Sequence, residues 1–286
     1  MERFVEVDTE TSLWVECSGR PDGSPLLLVM GANASGVTWP DDLVARLGER
    51  HLVVRYDHRD TGRSTWAFDA RPYSVADLAR DALAVLDGLR IERAHVVGMS
   101  MGGTLVQLLL LDAPQRLLSA TLFCTAVLEG AGPEGAPPPF ADIDPRLLAV
   151  WERLGDARDP DAELEFRVEH WRLLNGNELP FDADEYRRLE RQVIDHTGRH
   201  GSPAAHARAD QNGLDRGAEL AAVATPTLVI EAPADPINPP PAAARIAAAI
   251  PGARLVTIPG MGHALGSAIL GPLTETILAH TADVGG

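Results

Sequence analysis

Six short, almost wholly apolar runs punctuate the chain: Leu26–Met30, Leu52–Tyr56, Ala94–Val97, Leu117–Cys124, Thr227–Ile230 and Arg254–Ile258. A run without alternation has no polar face to offer water, so each predicts a strand covered on both sides. Between them, apolar residues recur at helical spacing. Ser74 and Asp77 predict a capped helix start, with Val75, Leu78, Ala79, Ala82, Leu83 and Leu86 along one stripe. Strand and helix in repeated alternation dictate an α/β architecture, a mostly parallel, doubly wound sheet with helices on both faces. The start of the chain differs. Phe4, Val5 and Val7, then Leu13 and Val15 across polar Asp8–Ser12, predict a hairpin.

The alternation stops between about Ala126 and Ala224. Gly130 to Pro139 is rich in glycine and proline and marks a departure from the sheet. The signals that follow are helical. Asp159-Pro160 predicts an N-cap with proline in the first turn, ahead of Leu164, Val168, Trp171 and Leu174 on one face. Asp182 and Glu185 predict a further start, carrying Tyr186, Leu189 and Val193, and Thr225-Pro226 returns the chain to a strand. The expected organisation is a core of residues 1–126 and 225–286 with a helical insertion, 127–224.

Composition removes whole classes of chemistry. All 25 basic residues are arginine, so Schiff-base catalysis, a phosphate-loop lysine and a Ser-Lys dyad are excluded. Cys17 and Cys124 are the only cysteines, too few for a disulfide framework or a thiolate cluster. No HExxH, calcium loop or dinucleotide glycine fingerprint occurs, so no metal and no cofactor are expected. Forty-one acidic residues against 25 basic ones give a net charge of −16, which repels nucleic acid and anionic membrane surfaces. No apolar run is long enough to span a bilayer and no signal stretch follows Glu2, so the expected location is the cytoplasm.

Gly98-Met99-Ser100-Met101-Gly102 lies between a buried strand and an apolar helix. A strand-to-helix turn tight enough to project one side chain leaves no room for Cβ atoms two residues to either side, which makes Ser100 the candidate nucleophile. The Met101 N–H then sits at a helix N-terminus, where a developing oxyanion is favoured. A nucleophilic serine needs a base and a group that orients the base, following it here in the order acid, then histidine. His263, in Pro259-Gly260-Met261-Gly262-His263 after the last predicted strand, is the candidate base. The other histidines fit less well: His51 and His95 begin strands, His58 precedes the elbow, His170 and His196 sit on predicted inserted helices, His200 and His206 in a polar loop, and His280 near the end. Asp235, where the strand from Thr227 reaches the carboxyl edge of the sheet, is the candidate acid, with Glu231 and Glu129 as weaker alternatives. The loop Met30-Gly31-Ala32-Asn33 offers a second oxyanion donor, the N–H of Ala32.

This order of elements, elbow, acid and histidine resembles the α/β-hydrolase superfamily with a helical cap, over essentially the whole chain. A closer resemblance is to the aclacinomycin methylesterase group of polyketide tailoring enzymes. It is carried by Leu26-Leu27-Leu28-Val29-Met30-Gly31, by Arg55-Tyr56-Asp57-His58-Arg59-Asp60-Thr61-Gly62-Arg63-Ser64 and by Pro259-Gly260-Met261-Gly262-His263-Ala264-Leu265. Leu179-Pro180-Phe181-Asp182 and Ile194-Asp195-His196 add to it. The resemblance implies a Ser100–Asp235–His263 triad, oxyanion donors at Ala32 (where the family pattern leads one to expect glycine) and Met101, and a structural turn at Asp57–Ser64. It further implies a methyl ester on a bulky aromatic polyketide as substrate, cleaved through an acyl-enzyme. Trp151, Trp171 and Tyr186 are the expected substrate-binding residues of the roof, since pockets for such ligands are lined by apolar and aromatic side chains. The same triad also serves lactonases, peptidases and C–C bond hydrolases, and a non-catalytic ligand-binding protein could retain the scaffold.

Overall fold

The expected hairpin forms: β1 (Glu2–Glu6) pairs antiparallel with β2 (Ser12–Gly19), Val5 opposite Leu13. The chain, a computed structural model that describes residues 1–131 and 143–284, continues into one eight-stranded sheet. The remaining strands are β3 (Ser24–Val29), β4 (His51–Tyr56), β5 (Ala94–Met99), β6 (Leu117–Phe123), β7 (Thr227–Glu231) and β8 (Arg254–Thr257). Their spatial order is β1-β2-β4-β3-β5-β6-β7-β8, antiparallel in the two pairings of β2 and parallel from β4 to β8.

Alternate residues of the central strands feed two separate cores. Leu27, Val54 and Val96 lie side by side and face α2 (Val75–Gly88), α3 (Met101–Asp112) and α7 (Ala242–Ala249). Leu26, Leu28, Val53 and Val97 point the other way, against α1 (Asp41–Gly48) and α8 (Ser267–Val284). Burial on both faces is why these runs show no alternation. The rule fails at β8, which pairs only with β7 and ends the sheet, leaving Leu255 42% exposed. The capping signals form as the sequence predicts. Ser74 Oγ accepts from Asp77 N–H at 3.1 Å, while the Asp77 carboxylate accepts from Ser74 N–H at 2.8 Å.

Among the described residues, three α-helices lie between β6 and β7: α4 (Pro145–Glu152), α5 (Pro160–Leu174) and α6 (Ala183–Thr197). They share an apolar cluster around Leu147, Val168, Leu174 and Tyr186, to which Ala264 of the sheet-edge loop contributes. A buried ionic chain ties α5 to α6. Arg158 and Arg167 both bond to Glu163, at 3.1 and 3.0 Å, and Arg167 bonds on to Glu190 at 3.0 Å. The Gly217 N–H donates to the Glu129 carbonyl at 2.6 Å, joining the chain leaving the sheet to the chain coming back. The glycine- and proline-rich stretch lies, from residue 132 on, outside the described residues. Among the described residues no helix is long and apolar enough to cross a membrane.

Candidate active site

β5 lies at the centre of the sheet, and the turn at its carboxyl end carries Ser100 with φ 57° and ψ −127°. Holding a non-glycine residue there costs on the order of 1–3 kcal/mol, which the surroundings must over-determine. They do so through the two glycines of the motif. A Cβ on Gly98 would stand 2.4 Å from the Gly102 carbonyl oxygen, and one on Gly102 would stand 2.1 Å from that of Val29. The Ser100 N–H is also spent, on the Phe123 carbonyl at 3.1 Å. Met101 opens α3, so its amide is one of the donors a helix leaves without an intrahelical partner.

The loops after β7 and β8 bring Asp235 and His263 together. His263 Nδ1 lies 2.9 and 3.0 Å from the two carboxylate oxygens of Asp235. One of those oxygens also accepts from the N–H groups of Ile237 (2.8 Å) and Asn238 (3.1 Å). Burial pushes the Asp235 carboxyl up. The charge and hydrogen bond of His263 and the two amides outweigh it, leaving the group below the ordinary carboxylate range. With Nδ1 on the carboxylate, Nε2 is the ring nitrogen left for proton transfer. The loops are braced by Ala234 N–H on the Met261 carbonyl (2.9 Å) and by His263 N–H on the Leu174 carbonyl of α5 (2.8 Å). The alternative acids lie elsewhere: Glu231 accepts from Thr257 Oγ1 at 3.1 Å, and Glu129 is exposed at the cavity edge.

Ser100, His263, Ala32 and Met101 all border one cavity of about 580 Å³. No hydrogen bond joins Ser100 Oγ to His263 among the described residues; such contacts are often long before substrate binds. The close approach in the oxyanion loop is at Gly31, where a Cβ would stand 3.1 Å from that of Ser100, so alanine is accommodated at position 32. Trp151, His170 and Trp171 from the inserted helices border the same space. Tyr186 does not. It is 2% exposed, stacked against Trp171 and Phe181 at 5.5 and 4.8 Å between ring centroids, and belongs to the core of the inserted helices rather than to the cavity. The helical stripe that holds Tyr186 faces α5, and a sequence pattern cannot tell that face from one over a pocket.

Among the described residues, one group has ligand atoms close enough for a cation: Cys124, Asp235 and His263, within 4.8 Å of one another. It is a poor metal site. Burial, then the Asp235 charge, raises the Cys124 thiol well above its usual range, and a protonated thiol is a weak ligand. Three histidines not assigned from sequence gather here instead. His170 accepts from Trp151 Nε1–H at 3.1 Å and borders the cavity. Burial and the nearby His263 charge bring its pKa down to about 4. His58 and His206 flank the loop of Ala32, with ring centroids 5.6 Å apart. No local pattern announces them, because each has its partner far along the chain, the Trp151 indole for His170 and loop backbone for His58 and His206.

Comparison with known proteins agrees with this geometry. Residues 24–266 match the family described as alpha/beta hydrolase fold. The chain is 48% identical over 284 residues to rhodomycin D methylesterase DnrP of Streptomyces peucetius, covering 95% of each. It is 47% identical to rhodomycin D methylesterase DauP of Streptomyces sp. (strain C5), over 98% of this chain and 97% of that one. Among solved structures, a hydrolase from Pseudomonas aeruginosa PA01 superposes with a TM-score of 0.72 at 28% identity, over 98% of this chain and 97% of the other. The chain belongs to the alpha/beta hydrolase fold family.

Proposed function

We propose that this chain is a serine methylesterase that cleaves the methyl ester of a large anthracycline-type polyketide through an acyl-enzyme. The observation that carries the reading is the meeting, on one cavity, of a serine at a strained elbow with a histidine held on a buried carboxylate. His263 Nε2 takes the Ser100 hydroxyl proton as Oγ attacks the ester carbonyl carbon. The oxyanion forms between the N–H groups of Ala32 and Met101, neither of which donates to another described residue. The C–O bond to methoxide breaks, methoxide leaves as methanol with the proton from His263, and water repeats the sequence to free the acid and Ser100. Asp235 holds the imidazole in the tautomer that both proton transfers need.

The substrate class rests on the two rhodomycin D methylesterases and on the aromatic roof. We read residues 127–224 as a cap over a core of 1–126 and 225–286, with Trp151 and Trp171 supplying apolar area to a polycyclic ligand. A cytoplasmic small-molecule enzyme with no nucleic acid partner goes with the net charge of −16. The test is direct. Rhodomycin D incubated with the protein should lose its methyl group as methanol, and Ser100→Ala should fold and release none. Undiminished hydrolysis by folded Ser100→Ala removes the nucleophile assignment. Cleavage of simple esters but never of polycyclic methyl esters removes the substrate class and leaves the esterase.

A further inference from the structure

We infer that His206 is a positioning residue for the oxyanion loop: it reaches out of the chain returning from the cap and pins Asn33, the residue that follows Ala32. The inference rests on the proposed role of the Ala32 amide. The contact is reciprocal. Asn33 N–H donates to His206 Nδ1 at 2.8 Å, and His206 N–H donates to Asn33 Oδ1 at 3.1 Å. At the far side of the ring, Nε2 lies 2.9 Å from the Arg59 carbonyl oxygen.

These partners leave the ring no choice of state. A backbone N–H can only donate, so Nδ1 is the acceptor; a carbonyl can only accept, so Nε2 carries the hydrogen. His206 is therefore neutral and in one tautomer. Its burial, then the charge of His58, depresses its pKa to about 3, so it stays neutral at any pH at which an ester hydrolase works. The Arg59 anchor is itself fixed, with its guanidinium on the buried Asp81 carboxylate at 2.7 Å and over the Tyr73 ring.

What the ring holds is a loop that needs holding. Asn33 has φ 58°, a left-handed conformation that a side-chain-bearing residue adopts only when its surroundings favour it. Three successive peptide units then have distinct duties. The carbonyl of Met30 accepts from His58 Nε2–H at 3.0 Å, which fixes the first unit. The third is fixed by the Asn33 N–H on His206. The unit between them carries the Ala32 N–H that is left for the oxyanion. Two neutral histidines, one from the core and one from the end of the cap, thus clamp the donor from either side. Oxyanion stabilisation depends on donors being in place before charge develops, so loosening one clamp should be felt in the transition state rather than in substrate binding.

The experiment compares His206→Phe, which keeps a planar aromatic ring, larger than the imidazole, and loses both side-chain hydrogen bonds, with His206→Asn, whose Oδ1 can replace Nδ1 as the acceptor. Each is assayed on a small activated ester that does not reach the cap roof, with Tm measured alongside. His206→Phe should lower kcat by about 10–100-fold with KM within about 3-fold, and should slow fluorophosphonate labelling of Ser100 in parallel. His206→Asn should recover most of both. A merely structural histidine gives a lower Tm and unchanged kcat in the folded fraction, and that result overturns the inference; so does an equal loss of kcat in both variants. Should His206→Phe fail to fold, Asn33→Gly, which suits φ 58° and removes only the Oδ1 tie, reads the same quantity: a several-fold fall in kcat at unchanged Tm supports the clamp, and full kcat overturns it. Failure of the underlying esterase reading is seen separately, as residual turnover in Ser100→Ala.

Discussion

Asp235 is sealed from solvent, yet it is held ionised by one imidazole and two backbone amides. If its task is to orient His263, Asp235→Asn should lower kcat by up to ~10⁴-fold while the protein still folds, as the wrong imidazole tautomer does in other triads. Steady-state assays checked against a Glu129→Gln control decide it; a crippled control beside an active Asp235→Asn would move the acid to Glu129, in the segment after β6. The positions of Ser100, Asp235 and His263 were legible because each follows a strand, and the ends of parallel strands converge on one edge. His206 was not legible. Its partner Asn33 lies 173 residues away, and an isolated histidine in a polar loop carries no pattern that points across such a gap. Tyr186 was misread for the complementary reason: helical periodicity shows that a face is buried and is silent on what buries it.

At the scale of elements, the elbow is a packing problem before it is a catalytic device. A methyl group on Gly102 would collide with the backbone of β3, which cannot move without breaking its pairing to β4 and β5. Gly102→Ala should therefore destabilise the fold by ~3 kcal/mol or more, an overpacking cost at the upper end of the usual range, seen as a lowered denaturation midpoint. The two tryptophans that border the cavity should behave differently from one another. Trp151 spends its N–H on His170, itself at the cavity, so Trp151→Ala should weaken turnover of a bulky polycyclic methyl ester while sparing a small one. Trp171 spends its N–H on Glu190 at 2.5 Å, inside the ionic chain that joins α5 to α6. Trp171→Ala should carry the same substrate effect together with a lower Tm, because it strips a partner from a buried carboxylate. Paired Tm and two-substrate kinetics separate the cases. The caps of α2, α5 and α6 could all be read from Ser74, Asp159 and Asp182, since capping is local chemistry. The exposure of β8 could not, because only the completed sheet shows which strand is last.

For the molecule as a whole, the buried histidines set the response to acid. Burial depresses His58 and His95 to about 4 and His206 to about 3, from an ordinary value of 6.5. The unfolded chain takes up these protons and the folded chain does not, so stability is complete above about pH 6.5 and falls as pH drops toward 4. Each such group contributes a slope of up to ~1.4 kcal/mol per pH unit within that window. Denaturant midpoints measured from pH 7 to 4 should fall steadily, and His206→Phe should show a shallower decline than the parent. The clasp between Glu129 and Gly217 bears on a different property of the molecule. A segment whose two ends are already stapled together adds little closure entropy to its host when it grows or shrinks, because that cost rises only with the logarithm of loop length. The sheet, its elbow and the proposed acid–base pair can thus stay as they are while the proposed roof is exchanged like a tool in a chuck. Selection for a new ligand can then work on residues between the jaws, provided that each replacement still delivers a histidine to Asn33 on its way back.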